Sequence, residues 1–250
     1  MKKTTLMKIF LRSFFIQTTL NFRRMQNLGF TMAITPLIRE LELQPKNSEK
    51  MLTRHLQLFN TNPYLSASVI GSVVRLEEEQ KDNDDDSDVL LIKQSMMGSY
   101  AALGDIFFWG ALRPFAAITA VVLSYMGLML APVAFLLIYT PAHVWIRLNG
   151  FIEGYRGGKK GFEFIRSLDL PSVSVKIRWV ALFVLAVSII WLPGFGYWPI
   201  TITSAIITKL TAFATVLLCL LLIKNGLSQI YIIYGVVVLF FLISGRGFLN

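Results

Sequence analysis

The sequence predicts an all-α membrane protein in which amphipathic N-terminal helices precede several transmembrane or re-entrant helices. Of its 250 residues 54% are hydrophobic and only 16% are charged, which is too few polar side chains to cover a soluble domain of this size. No residue between Phe115 and Ile146 is charged. That segment is long enough for two short helices, or for a re-entrant hairpin and one span.

Residues 1–95 are predicted to form an amphipathic region on the cytoplasmic or interfacial surface. Apolar residues recur at helical spacing with basic residues between them over 10–28, as in a helix that lies on a membrane or on a partner. Two further helices are predicted over 34–43 and 48–59. The acidic run at 77–88 predicts a solvated loop, because so many like charges repel one another.

The remaining chain is divided by its charges and its apolar blocks. Residues 96–146 are predicted to hold a polar turn and the first membrane segments, 147–178 a basic cytoplasmic connection, and 179–250 C-terminal transmembrane helices. Basic residues are in excess on both flanks of the first apolar block, and such residues favour the cytoplasm. The N-terminus is therefore predicted to be cytoplasmic. This clustering does not resemble a nucleic-acid-binding stripe.

A glycine-containing polar segment before the apolar block is interpreted as a turn, with Gly98 and Gly104 as its hinge positions. Asp105 follows it directly, and an ionisable residue at the edge of a membrane segment is a candidate for function. It could cap the following helix, bind a ligand hydroxyl group, or pair with Arg113 or with a partner's charge. Trp109, one turn along, would share its face.

A second polar turn is predicted around Asn60 and Asn62. Pro63 disfavours helical backbone at Asn62 and suits the first position of a helix, so that Asn62 would cap this helix. Alternatively, both amides bind ligand hydroxyl groups, since an amide both donates and accepts.

The residue types that carry most catalytic chemistry are scarce. The single Cys219 and the two histidines leave no metal site worth proposing, and neither a catalytic residue nor a cofactor is predicted. His55 is predicted at the surface or in a capping role. His143 is predicted to snorkel or to pair helices near the membrane face, or to take part in substrate binding or gating.

Five segments, in this order, resemble the IID membrane subunit of the mannose/fructose/sorbose family of phosphoenolpyruvate-dependent sugar phosphotransferase systems. The resemblance covers nearly the whole chain. The segments are RSFFIQTTLNFRRMQNLGF (12–30), RHLQLFNTNPY (54–64), LEEE (76–79), MGSYAALGDIFFWGALRP (97–114) and PAHVWIRLNGFIEGY (141–155).

The resemblance implies a multi-pass permease subunit of the bacterial inner membrane. Such a subunit would work in a hetero-oligomer with an obligate IIC subunit, translocating a hexose or amino sugar that the IIB carrier phosphorylates, with IIA supplying IIB with phosphoryl groups. Phosphoryl transfer would then occur on the partners. The residues expected at the sugar or along its path are Asp105, Asn60, Asn62, Trp109 and Arg113.

Two positions depart from the family's pattern. Ser99 stands where proline is usual and Ala102 where glycine is usual, which matters if residue 102 needs positive φ or close backbone contact. The alternative function is therefore a membrane scaffold or assembly subunit that does not transport, or an inactive copy.

Overall fold

The computed structural model describes residues 1–80 and 87–191, with a few isolated positions between 218 and 235. The chain divides into two compact units, Met1–Leu192 and Pro193–Asn250. Its described residues form helices and turns without a strand, which confirms the all-α prediction. Most of the C-terminal transmembrane region predicted over 179–250, including Cys219, lies outside the described residues.

Four helices precede the membrane segments: α1 Lys3–Ser13, α2 Asn27–Leu41, α3 Pro45–His55 and α4 Ser66–Glu79. The prediction of a helix across 10–28 is wrong, because α1 ends at Ser13 and turns follow. Side chains here satisfy backbone groups outside a helix: the Thr18 hydroxyl donates to the Phe15 carbonyl (2.8 Å), and the Asn21 side chain accepts from the Arg24 N–H (2.8 Å). Such local hydrogen bonds compete with helix formation.

The whole acidic segment 77–88 was predicted to be a solvated loop, and this is wrong for its first residues. Its first three glutamates end α4, and Glu77 is buried. The Glu77 carboxylate pairs with the Arg54 guanidinium (2.8 Å) and with His55 Nε2 (2.7 Å). His55 is also fully buried, beside the ring of Phe30, so its predicted surface role is wrong. A partner 22 residues away in sequence, supplied by tertiary packing, offsets the cost of burying the carboxylate.

The first membrane segment is one continuous helical rod. It consists of α5 Ser87–Gly104, a π-helix Asp105–Leu112 and α6 Arg113–Tyr125, and it leads to α7 Ala131–Gly157. The predicted polar turn before the apolar block is therefore wrong. The surrounding alanine, leucine and methionine residues are good helix formers, and they carry the helix through its glycines.

Three helical stretches are long and apolar enough to cross a membrane: Asp88–Tyr125, Ala131–Lys160 and Phe162–Ser188. An ion pair of 2.5 Å between Asp88 and Lys159 joins the start of the first to the end of the second. The first two stretches therefore form a hairpin whose charged ends lie at the same level.

The basic connection predicted over 147–178 is mostly helical. α7 continues to Gly157, a short 3₁₀ turn follows at Gly158–Lys160, and then come α8 Phe162–Ser167 and α9 Leu170–Trp191. α4 packs along α7, and Gly154 permits the contact, because a Cβ atom there would lie 2.4 Å from the Ser68 carbonyl oxygen. This packing holds the loop before α4 against the membrane hairpin.

Candidate functional site

The site begins where the first membrane helix changes its winding. Asp105 is the first residue of the π-helix, and the Arg113 N–H still donates to the Phe108 carbonyl, five residues earlier. Pro114 follows, and it has no N–H with which to make the α-helical bond to Gly110. π-Helical turns are rare and occur frequently at functional sites. The position of Asp105 at the start of this π-helix therefore supports its candidacy as a functional residue.

Asn62 and Asp105, two of the predicted site residues, are joined in the structure. The Asn62 side-chain amide donates to an Asp105 carboxylate oxygen at 3.0 Å, and its own oxygen accepts from the Tyr64 N–H at 3.1 Å. Asn62 is buried, whereas Asp105 is exposed. Asn62 was predicted to cap the following helix, but α4 begins only at Ser66. Asn62 instead stabilises the turn that leads into α4.

The close approach of these two residues depends on Gly104. A Cβ atom at this position would lie 2.3 Å from both Cβ and Cγ of Asn62, which is shorter than any allowed contact. Gly104, the last residue of α5, therefore leaves the space that the Asn62 side chain occupies. Gly98 lies in α5 in open space, where a Cβ atom would meet nothing within 4 Å, so neither glycine forms the predicted turn.

Aromatic rings flank the pair. The Trp109 ring is 37% exposed, and its centroid lies 5.6 Å from that of Tyr64. The Arg113 guanidinium lies 5.3 Å from the Trp109 centroid. Among the described residues no ion pair joins Arg113 to Asp105, so the predicted pairing of these two is not formed. We call Asn62, Tyr64, Asp105 and Trp109 the polar junction.

Three residues of α7 complete the surroundings of the junction. The Tyr139 hydroxyl donates to the Tyr64 hydroxyl at 3.0 Å, and the His143 ring stacks on Tyr64 with centroids 4.8 Å apart. The buried Arg147 donates to the Pro63 carbonyl at 2.5 Å. His143 thus joins α7 to the turn before α4, and its predicted roles stay predictions. Sequence reasoning gave no role to Tyr139 or Arg147, although a polar residue at every fourth position of an apolar helix marks a single face.

Asn60 is not brought to the junction. Its side chain is exposed and makes no hydrogen bond to a described residue, although it stands only two residues before Asn62.

The fold also accommodates the two residues that depart from the family's pattern. Ser99 is exposed and bonds to its own helix, and Ala102 lies in α5 without positive φ, so its methyl group is not strained.

The junction has the chemistry of a binding site for a polar ligand. A carboxylate has two oxygens with several acceptor positions, so Asp105 keeps acceptors beyond the one that Asn62 uses. A half-exposed indole offers an apolar face beside it. Over the described chain, no group of three His, Cys, Asp or Glu side chains is placed to hold a metal ion.

These features define an all-α membrane protein in which a polar pair joins a candidate spanning helix to the loop before α4. The model of the family described as "PTS system mannose/fructose/sorbose family IID component" matches residues 1–192. The chain belongs to this family of phosphotransferase membrane components, which confirms the resemblance seen in the sequence.

Curated relatives carry the names of different sugars. The chain is 34% identical over 165 residues to the mannose-specific EIID component of Escherichia coli K12, and 31% identical over 168 residues to the fructose permease IID component of Bacillus subtilis. These alignments cover 64% and 66% of the chain, and 56% and 60% of the relatives. The chain thus spans less than two thirds of the length of the curated relatives that it matches.

Two solved structures share the fold over nearly their whole length. One is titled "Structure of membrane protein" and has a TM-score of 0.72 at 27% identity, covering 98% of this chain and 97% of the other. The other is a cryo-EM structure of the mannose transporter ManYZ in complex with microcin E492, with a TM-score of 0.60 at 27% identity, covering 99% and 97%.

Proposed function

We propose that this chain is a permease subunit that translocates a hexose or amino sugar through the bacterial inner membrane together with a IIC subunit. The observation that carries the proposal is the hydrogen bond between Asn62 and Asp105 at the π-helix of the first membrane segment. A carboxylate inside a membrane segment is energetically costly, and such a residue is therefore a candidate for binding or transport.

The junction suits a sugar in two respects. Sugar hydroxyl groups are donors, and the exposed Asp105 carboxylate has free acceptor positions for them. The apolar C–H face of a pyranose can lie against an aromatic ring, and Trp109 presents a partly exposed one about one helical turn from Asp105. Asn62 would act on Asp105 rather than on the sugar, because its amide already has two partners.

The proposed partners follow from the family and from the state of the histidines. IIC would supply the remainder of the sugar site, and IIB and IIA would carry the phosphoryl group. A phosphoryl carrier needs an accessible, activated side chain. His55 is buried with Nε2 bonded to Glu77, and His143 is stacked on Tyr64, so neither suits that role. The N-terminus is proposed to be cytoplasmic, on the basis of the positive charge of the first helices.

The test is sugar uptake by the assembled system. The chain would be co-expressed with IIC, IIB and IIA in cells that lack other sugar permeases, and phosphorylated sugar would be measured for a panel of hexoses and amino sugars. We expect accumulation of at least one sugar, and its loss when this chain alone is omitted. Accumulation that does not depend on this chain, while the chain is stable in the membrane, would contradict the proposal.

A scaffold function is the second candidate, and one observation favours it. Every side-chain polar group of Asn62 bonds within the protein, as a purely structural residue would. In a scaffold, loss of the Asn62–Asp105 bond would lower membrane abundance or binding to IIC. In a permease, it would lower uptake while abundance and IIC binding are retained. Measuring the three quantities on the same variants separates the two functions.

A further inference from the structure

The loop that carries Asn62 into the polar junction is held by a glutamine of the N-terminal region. The Gln26 side chain donates from Nε2 to the Thr61 carbonyl at 2.9 Å, and its Oε1 accepts from the Thr61 N–H at 3.0 Å. One side-chain amide thus pairs with both backbone groups of a single residue. Gln26 is 1% exposed and Thr61 is 4% exposed, so water has little access to these bonds. Asn62 is the next residue in the chain.

The backbone of Gln26 extends this contact along the same loop. Its N–H donates to the Phe59 carbonyl at 2.8 Å, and the Phe59 N–H donates to the Arg24 carbonyl at 3.4 Å. These bonds form an isolated parallel β-bridge between Met25 and Phe59. Gln26 therefore holds residues 59 and 61 by three hydrogen bonds, immediately before Asn62.

A closed turn presents Gln26 to the loop. Asn21 and Met25 exchange two backbone hydrogen bonds of 2.9 and 3.0 Å, and the Asn21 side chain also donates to the Met25 carbonyl at 3.1 Å. Met25 has a φ of +57°, in the left-handed region that few non-glycine residues adopt. Such a backbone conformation persists where the surrounding contacts hold it. The turn of residues 21–25 is therefore a defined support for Gln26.

Asn62 transmits the position of the loop to the spanning helix. Its side chain donates to Asp105 at 3.0 Å and accepts from the Tyr64 N–H at 3.1 Å. Consecutive Cα atoms are a fixed 3.8 Å apart, so a displacement of the Thr61 backbone moves Asn62 with it. Hydrogen bonds of this kind are lost by about 3.6 Å. A displacement of about 1 Å at Thr61 would therefore break the bond between Asn62 and Asp105.

We infer that Gln26 is a positioning residue for the sugar site: it fixes Thr61 so that Asn62 orients the Asp105 carboxylate. The inference rests on the proposed transport function, in which Asp105 accepts hydrogen bonds from the sugar. Gln26 acts through Thr61 and Asn62 and not on the sugar itself. A residue that only stabilised the fold would change the number of functional chains, whereas a positioning residue changes how tightly each chain binds sugar.

The first test is the concentration dependence of sugar uptake by Gln26→Met in cells that co-express IIC, IIB and IIA. Methionine preserves the size of the side chain and removes both of its hydrogen bonds. We expect the half-saturating sugar concentration to rise about tenfold, as the loss of one or two hydrogen bonds allows, with the maximal rate per chain within about twofold. Gln57→Met, an exposed glutamine of the same loop, is the matched control and should change neither quantity.

A lower maximal rate at an unchanged half-saturating concentration would overturn the inference. Asn21→Ala is a milder variant in case Gln26→Met does not reach the membrane. It loosens the turn that presents Gln26 and should raise the half-saturating concentration about threefold, the effect of one neutral hydrogen bond. No rise in either variant would equally overturn the inference.

The second test asks whether Gln26 acts through Asn62. If it does, the double variant Gln26→Met, Asn62→Ala should have the half-saturating concentration of Asn62→Ala alone, because residues in one network are not additive. If the two single effects multiply instead, Gln26 acts on the site independently of Asn62 and the inference is wrong.

A third measurement does not require transport. Hydrogen–deuterium exchange of the purified full chain in detergent should be faster at the Thr61 and Tyr64 N–H groups in Gln26→Met, because these N–H groups donate to Gln26 and to Asn62. The amides of α5 should be unchanged, which shows that the fold is intact. Unchanged exchange at both positions would overturn the inference. Faster exchange at both, with uptake that does not depend on this chain, would uphold the link from Gln26 to Asn62 and contradict only the proposed transport function.

Discussion

The side-chain amide of Asn62 donates a hydrogen bond of 3.0 Å to the carboxylate of Asp105, across 43 residues of sequence. This bond ties the loop before α4 to the first residue of the π-helix. It couples the amphipathic region to the spanning helix. A movement of either element therefore changes the environment of the other.

The carboxylate charge of Asp105 is the first feature to test. Asp105→Asn keeps the size of the side chain and can keep a bond to Asn62, but it removes the negative charge that would receive sugar hydroxyls. We expect uptake to fall at least about tenfold, the loss of one hydrogen bond to a charged group, with membrane abundance unchanged. Glu163→Gln, an exposed acid of α8, is the control. Normal uptake by Asp105→Asn would exclude a role for the charge.

The two asparagines are expected to differ. Sequence reasoning gave both amides the same alternatives, but the structure places Asn62 on Asp105 and leaves Asn60 exposed. Asn62→Ala should lower uptake, because it releases the Asp105 carboxylate and the following turn. Asn60→Ala should leave uptake within about twofold, as is usual for a surface change. Equal losses in the two variants, measured at matched abundance, would mean that Asn60 also contacts the sugar.

Gly104 should tolerate no side chain. In Gly104→Ala the new Cβ would overlap the Asn62 side chain, and overpacking of this kind costs about 1–3 kcal/mol. Gly98→Ala is the matched control, since open space surrounds that position, and alanine in place of a helical glycine stabilises by about 0.4–1 kcal/mol. Thermal unfolding in detergent should therefore shift in opposite directions for the two variants. A shift in the same direction would show that Gly104 is not a packing position.

Arg147 should not be replaceable by lysine. Its guanidinium donates to the Pro63 carbonyl and lies over the rings of Phe14 and Tyr64, which a lysine cannot do at once. We expect Arg147→Lys to cost about 1–3 kcal/mol of stability and to lower uptake, because the turn carrying Asn62 is released. Arg156→Lys changes an arginine of the same helix that is 71% exposed and should leave both unchanged. Full stability and uptake in Arg147→Lys would contradict this role.

Stability should fall in mild acid because of His55. Burial lowers the pKa of His55 from its ordinary value of 6.5 to about 4. The unfolded chain takes up a proton near pH 6.5, whereas the folded chain resists it, so the stabilisation is complete above pH 6.5 and is lost as the pH falls towards 4. The unfolding temperature of the wild type should drop more steeply between pH 7 and pH 4.5 than that of His55→Gln. Parallel curves would mean that another group dominates.

Much of the architecture could be predicted from local patterns. The all-α membrane class followed from the uncharged block of 115–146, and the family from motifs that surround Asn62 and Asp105. Both residues were also recognised as unusual, because an ionisable or amide side chain beside a proline or an apolar run is visible in the sequence alone. What could not be seen was whether the neighbouring glycines mark a turn or a close contact, since both uses require a missing side chain.

The sequence by itself determined the class of the protein, its family, and three residues of the polar junction, Asn62, Asp105 and Trp109, because hydropathy and motifs are properties of the chain that need no partner. Only the tertiary structure decided which polar groups meet. In the fold, His55 and Glu77 form a buried pair, and Arg147 donates a hydrogen bond to the Pro63 carbonyl. Asn62 bonds to Asp105, whereas Asn60 does not. A buried polar group forms its hydrogen bond with the donor or acceptor that the packing places within about 3 Å. In this fold that partner belongs to a residue far away in the sequence.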